Sequence, residues 1–177
     1  MSNRKRISLV IGAISISLAS AFLLRAQRQE KQNIPMTQKQ MDEMNMRGDK
    51  HMGFDHTKTT HHFFLARDGG AIQVEANTAQ DTGSRDQMRG HLRHITMMFS
   101  EGNFEVPMLV HEKAPPGSEV MTKLKSEISY KYKETDRGAL IQISTANAEA
   151  LEGIHDFLRF QIKEHMTGDP LEVKGGN

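Results

Sequence analysis

The chain has 177 residues, 25% of them charged, and a formal net charge of +1. A balance this close produces no field that would gather nucleic acid, so no nucleic-acid role is expected. No cysteine occurs, which excludes disulfides, thiolate metal sites, a lipidated cysteine and covalent c-type haem attachment, and leaves packing as the source of stability.

At the N-terminus Arg4, Lys5 and Arg6 precede an apolar run from Ile7 to Leu24, closed by Arg25. A cleavable signal has an apolar core of about 7–15 residues, whereas a spanning helix needs roughly 17–25. The run is nearer the second, so residues 1–26 are expected to be a signal anchor, a transmembrane helix crossing a bacterial inner membrane through residues 7–24. The basic cluster stays on the cytoplasmic side and the C-terminal domain emerges in the periplasm, a single-pass arrangement. Ala19-Ser20-Ala21 has the A-x-A form of a cleavage site, and cleavage there would instead release the domain to the periplasm.

Residues 27–52 are rich in Gln, Lys, Met and Asn and read as a polar tether. Met36, Met41, Met44, Met46 and Met52 fall in it. A thioether is a soft neutral ligand that suits Cu(I). The other reading is a short helix whose methionines rest on the membrane or the domain, with methionine as a tolerant filler.

The remainder, residues 53–171, reads as one α+β domain of duplicated ββα units, followed by a disordered tail at 172–177. "HHFFLARDGGAIQVEAN" is two strands joined at Asp68-Gly69-Gly70, and "ISYKYKETDRGALIQISTAN" is two strands joined at Asp136-Arg137-Gly138. A helix follows each hairpin. Ser84 and Gln87 form a capping-box pattern for the first, which Gly102 stops; the second starts near Asn147 and stops at Gly168. "HLRHITMMFSEGN" and "FLRFQIKEHMTGD" align without a gap. The first unit spans 53–103 and the second 127–171, joined by a linker over 104–126 that holds Pro107, Pro115, Pro116 and a short helix near Glu119 to Lys125. An antiparallel four-stranded sheet with the helices on one face buries these patterns economically. Met88, Leu92, Ile95 and Phe99 form the inward stripe of the first helix, and Leu151, Ile154, Leu158 and Ile162 that of the second. Gly53-Phe54-Asp55 is a turn that seats Phe54 on the core.

Nine histidines and no cysteine make imidazole the natural ligand for Cu(II) or Zn(II). His91 and His94 share one helix flank. His61 and His62 point to opposite sheet faces, so one of them can look toward the helices. The expected metal site joins His91 and His94 to His61 or His62, with His155 from the neighbouring helix. His165 lies about 15 Å along the helix from His155, too far to share an ion. His111, in the linker, reads as a surface residue. Glu152 and His155 have the E-x-x-H form of di-iron bundles, without a second copy. Neither a G-x-S-x-G elbow, a phosphate-binding glycine loop nor H-E-x-x-H occurs, so no catalytic residue is assigned.

The segments "RGDKHMGFDHTKTTHHF", "HLRHI" and "IHDFLRFQIKEHMTGDP" resemble a family of small exported or membrane-anchored bacterial proteins. The resemblance covers most of the domain; it implies the domain's extent and a bacterial origin, and no reaction or ligand. From the histidines and the methionine-rich tether, the expected function is a membrane-tethered periplasmic protein binding a transition metal, copper ahead of zinc, for sensing, buffering or handover. An interaction or scaffold module, with a protein partner or as a homodimer, is the alternative, and an enzyme of unrecognised type the third.

Overall fold

In the computed structural model, which describes residues 37–173, the two alternating hairpins meet edge to edge. The elements in order are α1 (Gln38–Met52), β1 (Thr59–Ala66), β2 (Gly69–Ala76), α2 (Thr82–Ser100), α3 (Glu105–His111), α4 (Ser118–Lys123), β3 (Ile128–Glu134), β4 (Gly138–Thr145) and α5 (Ala148–Glu164). The fold is α+β, with five helices and a four-stranded antiparallel sheet in the order β1-β2-β4-β3. The hairpins join along β2 and β4, where Ile72 pairs with Ile141.

Strand alternation decides which face is covered. Phe63, Ile72, Val74, Ile141 and Ile143 are buried, whereas Phe64, Gln142, Lys131 and Lys133 on the opposite face are exposed. The long helices lie on the buried face, and each leans toward the other unit's hairpin: α2 packs mainly on β4 and β3, and α5 on β1 and β2. A pair of side chains fixes this exchange. Arg89 of α2 donates to the carbonyls of Thr135 (2.6 Å) and Gly138 (3.1 Å) at the second hairpin turn. His155 of α5 has Nε2 2.9 and 3.1 Å from the carbonyls of Ala66 and Gly69 at the first. Both of its neighbours are acceptors, so Nε2 carries the proton and donates.

The helix phases follow the apolar spacing. Met88, Leu92, Ile95 and Phe99 are all buried on α2. On α5 Ile154, Leu158 and Ile162 are buried as expected, but Leu151 is only half-buried and Phe157, 1% exposed, joins the core instead. A Cβ at Gly70 would collide with the Phe64 carbonyl and the Leu158 side chain, so glycine there lets α5 sit close on β2. Leu92 and Leu158 are 2% and 0% exposed. Replacing either by alanine is expected to cost about 2–5 kcal/mol in a urea unfolding curve, because the packed helix relaxes little into the void; a cost below about 1 kcal/mol at both would contradict this packing.

Several expectations are corrected. Asp81, not Ser84, caps α2: its side chain accepts from the Ser84 N–H (3.0 Å) and hydroxyl (2.7 Å). Residues 104–126 are not merely a linker, because α3 forms around Pro107, which sits in a first turn where its missing N–H matters little. Residues 38–52, placed in the tether with a short helix resting on the membrane or the domain as the other reading, form the 15-residue helix α1. The unit that holds the sheet begins at Gln38. The anchor over 1–26, Met36 and residues 174–177 of the tail lie outside the described residues. Among those described, no helix is long and apolar enough to cross a membrane.

Candidate metal centre

Helix α1 is built from good helix formers and local polar pairs, among them Lys39 with Glu43 (3.7 Å) and Gln38 with Asp42 (2.8 Å). It is held to the domain at few points. Met44 and Gly48 are its buried residues. Arg47 donates from Nε to the Val110 carbonyl (2.8 Å) and pairs with Glu112 (3.2 Å). At the C-terminal end, Asp49 accepts the His56 backbone N–H (2.8 Å) and has both carboxylate oxygens 3.0 Å from His56 Nδ1. The turn through Gly53 then brings Phe54 into the core, 4% exposed, as the sequence suggests.

Behind α1 the rings form a chain. His61, on the covered face of β1, lies 5.3 Å from His165 between ring centroids and 5.9 Å from Phe54. His165, the residue closing α5, lies 5.1 Å from His111. His91 meets Phe54 edge-on at 5.4 Å. The His111 side chain is 1% exposed, and its Nε2–H donates to Gln161 Oε1 (3.1 Å).

Two cavities share this chain of rings. The inner one, about 60 Å³, is lined by His61, His91, His111, His165 and Gln161 among apolar side chains. The outer one, about 320 Å³, has His56, His61 and His165 in its wall. The same cavity is also lined by Met41, Met44 and Met52 of α1, together with Met166. His61, His165 and Met52 line both cavities.

Burial sets the protonation of the inner rings. It pushes His61 down to about 4, with the charges of His62 and His56 adding to the effect. It pushes His91 down to about 4 and His165 well below the ordinary imidazole range, each with further repulsion from His61. All three are therefore neutral at pH 7 and each has a nitrogen lone pair for a ligand bond. His56 is oriented differently. Asp49 engages its Nδ1, the carboxylate–imidazole pairing that fixes the ring of a metal-ligating histidine, which leaves Nε2 as the nitrogen outside that contact.

The site expected from sequence is not assembled. Of its members, His61 and His91 line one cavity. His94 is exposed, because it lies about 60° further round the helix than His91 and so beyond the edge of the core stripe. His62 is on the opposite sheet face, with Nδ1 3.0 Å from Asp169 Oδ1, while Asp169 Oδ2 accepts the Phe63 N–H (2.9 Å) at the β1 edge. His155 is committed to the hairpin carbonyls. His111 is buried rather than superficial. His56, His111 and His165 are the residues whose part in the cluster the spacing did not disclose. Met46 is 65% exposed and lines neither cavity.

Among the described residues, one set of three carboxylate and imidazole groups has ligand atoms within 4.8 Å of one another: Asp49, Asp55 and His56. Asp55 Oδ1 already accepts from the Thr57 N–H (2.8 Å) and hydroxyl (2.6 Å), capping the short turn there. No family model matches the chain, and neither a curated protein nor a solved structure matches it.

Proposed function

We propose that the protein binds a soft transition-metal ion, Cu(I), in the outer cavity, and serves as a membrane-tethered periplasmic copper protein for sensing, buffering or handover. The observation that carries this reading is that Met41, Met44 and Met52 line the same cavity as His61 and His165. Soft thioethers with neutral imidazoles suit Cu(I) in a chain that has no thiolate to offer. The imidazoles around the outer cavity do not close on one point as a set of three. The flexible methionines are the ligands able to complete a sphere, since each has three rotatable bonds before its methyl. This favours copper over zinc, which takes a fixed tetrahedron of nitrogen, oxygen or thiolate donors.

Tethering rests on the apolar run at 7–24, and the periplasmic side on the basic cluster before it. The two hairpin–helix units read as a duplication, supported by the ungapped helix alignment and by Arg89 and His155 performing the same task at opposite turns.

Anaerobic titration of the untagged full chain with Cu(I) against a Cu(I)-specific chelator tests the reading. One tightly held equivalent is expected, and no retention at micromolar copper would refute it. A metal-free interaction module is the competing reading. It is favoured by Met108 and Leu109 of α3, 44% and 42% exposed beside a broad groove, and it predicts that copper is not retained.

A further inference from the structure

We propose that α1 is a strap latched by the ion: a soft monovalent cation in the outer cavity locks residues 38–52 onto the domain, and its departure lets the helix lift. The inference rests on the reading of that cavity as a soft-metal site, and three observations extend it to the motion of α1.

The first is how shallowly the helix is seated. Of its 15 residues Met44 and Gly48 are buried, Met41, Asn45, Arg47, Asp49, His51 and Met52 are half-buried, and no acidic residue stands in its first turn to offset the helix dipole. A helix of this length is marginal on its own in water. Arg47 and the Asp49–His56 pair are among its polar attachments, to α3 and to the following turn.

The second is how the donors are divided. Met41, Met44 and Met52 belong to α1, whereas His61 belongs to β1 and His165 and Met166 follow α5. An ion bound by both groups has its full ligand set only when the helix is down. Such an ion shifts the docked population by the factor 1 + [ion]/Kd, about a hundredfold at a hundred times Kd.

The third is Gly48. Glycine is a poor helix former and is out of place in the middle of a helix that needs support. A Cβ at position 48 would come within 2.8 Å of the Met52 terminal methyl. An alanine there would make the flexible end of Met52, which lines the cavity, move aside. Just beyond, Gly53 is exposed, has φ of 77° and has nothing within 4 Å of a notional Cβ, which suits it to be the hinge.

Hydrogen exchange on the full chain in detergent tests this, with Ag(I) nitrate in chloride-free buffer as the redox-inert soft cation. One equivalent of silver is expected to slow exchange of the amides from Met41 to Met52 by at least about tenfold, with less than about twofold change in β2 and β4. Silver retained with no change in α1 would overturn the strap while leaving the metal site standing. Silver not retained would overturn both. Gly48→Ala provides the second arm. Alanine strengthens the helix and displaces Met52, so metal-free protection of α1 should rise while silver affinity falls at least about tenfold. Unchanged silver affinity in Gly48→Ala would remove Gly48 and Met52 from the latch.

Discussion

Replacing His61 and His165 together by phenylalanine is expected to lower Cu(I) affinity by at least about a hundredfold, a loss of roughly 2.7 kcal/mol or more. Phenylalanine keeps the ring-on-ring packing, now 5.3 Å between the two imidazoles, and removes the nitrogen donors. Loss of binding without loss of fold is therefore the expected signature. His62→Ala and His94→Ala should stay within about twofold of the parent affinity, because one residue faces the other side of the sheet and the other faces solvent. Leucine at Met41, Met44 and Met52 should weaken Cu(I) at least about tenfold and leave residual Zn(II) binding unchanged, since thioether softness distinguishes the two ions. Competition titrations with a chromophoric chelator measure all of these. Equal effects from the cavity and surface histidines would remove the outer cavity from consideration.

The metal-free protein is expected to lose stability steeply on acidification. His61 and His91 are held near 4 by burial, whereas the same side chains in the unfolded chain titrate near about 6.5. Between those values the unfolded chain binds more protons, so the stability these groups contribute is complete above about 6.5 and is lost as the pH falls toward 4. For His61 alone the difference is on the order of 3 kcal/mol. For the pair it is less than twice that, because part of the His91 shift is repulsion from His61. Urea midpoints at pH 7 and pH 5 measure it. His61→Phe should flatten the dependence by leaving one fewer buried base to protonate. A parent midpoint that is the same at both pH values would show that these rings are not buried in their neutral form.

The sheet and the long helices were legible because their periods are clean. Ile128, Tyr130 and Tyr132 alternate with polar residues, Asp-Arg-Gly marks the turn, and Met88, Leu92, Ile95 and Phe99 share a single stripe. Helix α1 was legible only as an alternative, a short helix resting on the membrane or the domain, since it is polar over much of its surface and buries only Met44 and Gly48 fully. Such a segment has the composition of a tether until a partner surface exists for it. Helix α3 was hidden by Pro107, which reads as an interruption unless the helix is known to begin at Glu105. Its misreading concealed His111, because the burial of that ring depends on where α3 lands. His91 and His155 show the limit most clearly. Each sits on the flank of a core helix, yet one faces a cavity and the other ties down a hairpin. Spacing fixes a residue's place on its own helix and leaves open what the neighbouring elements present to it.

X-ray absorption at the copper edge of the Cu(I)-loaded full chain tests the central claim most directly. A first shell containing both sulfur and nitrogen scatterers is predicted, with the sulfur contribution diminished when Met41, Met44 and Met52 are replaced by leucine. A shell of nitrogen and oxygen alone, unaltered by those replacements, would contradict it.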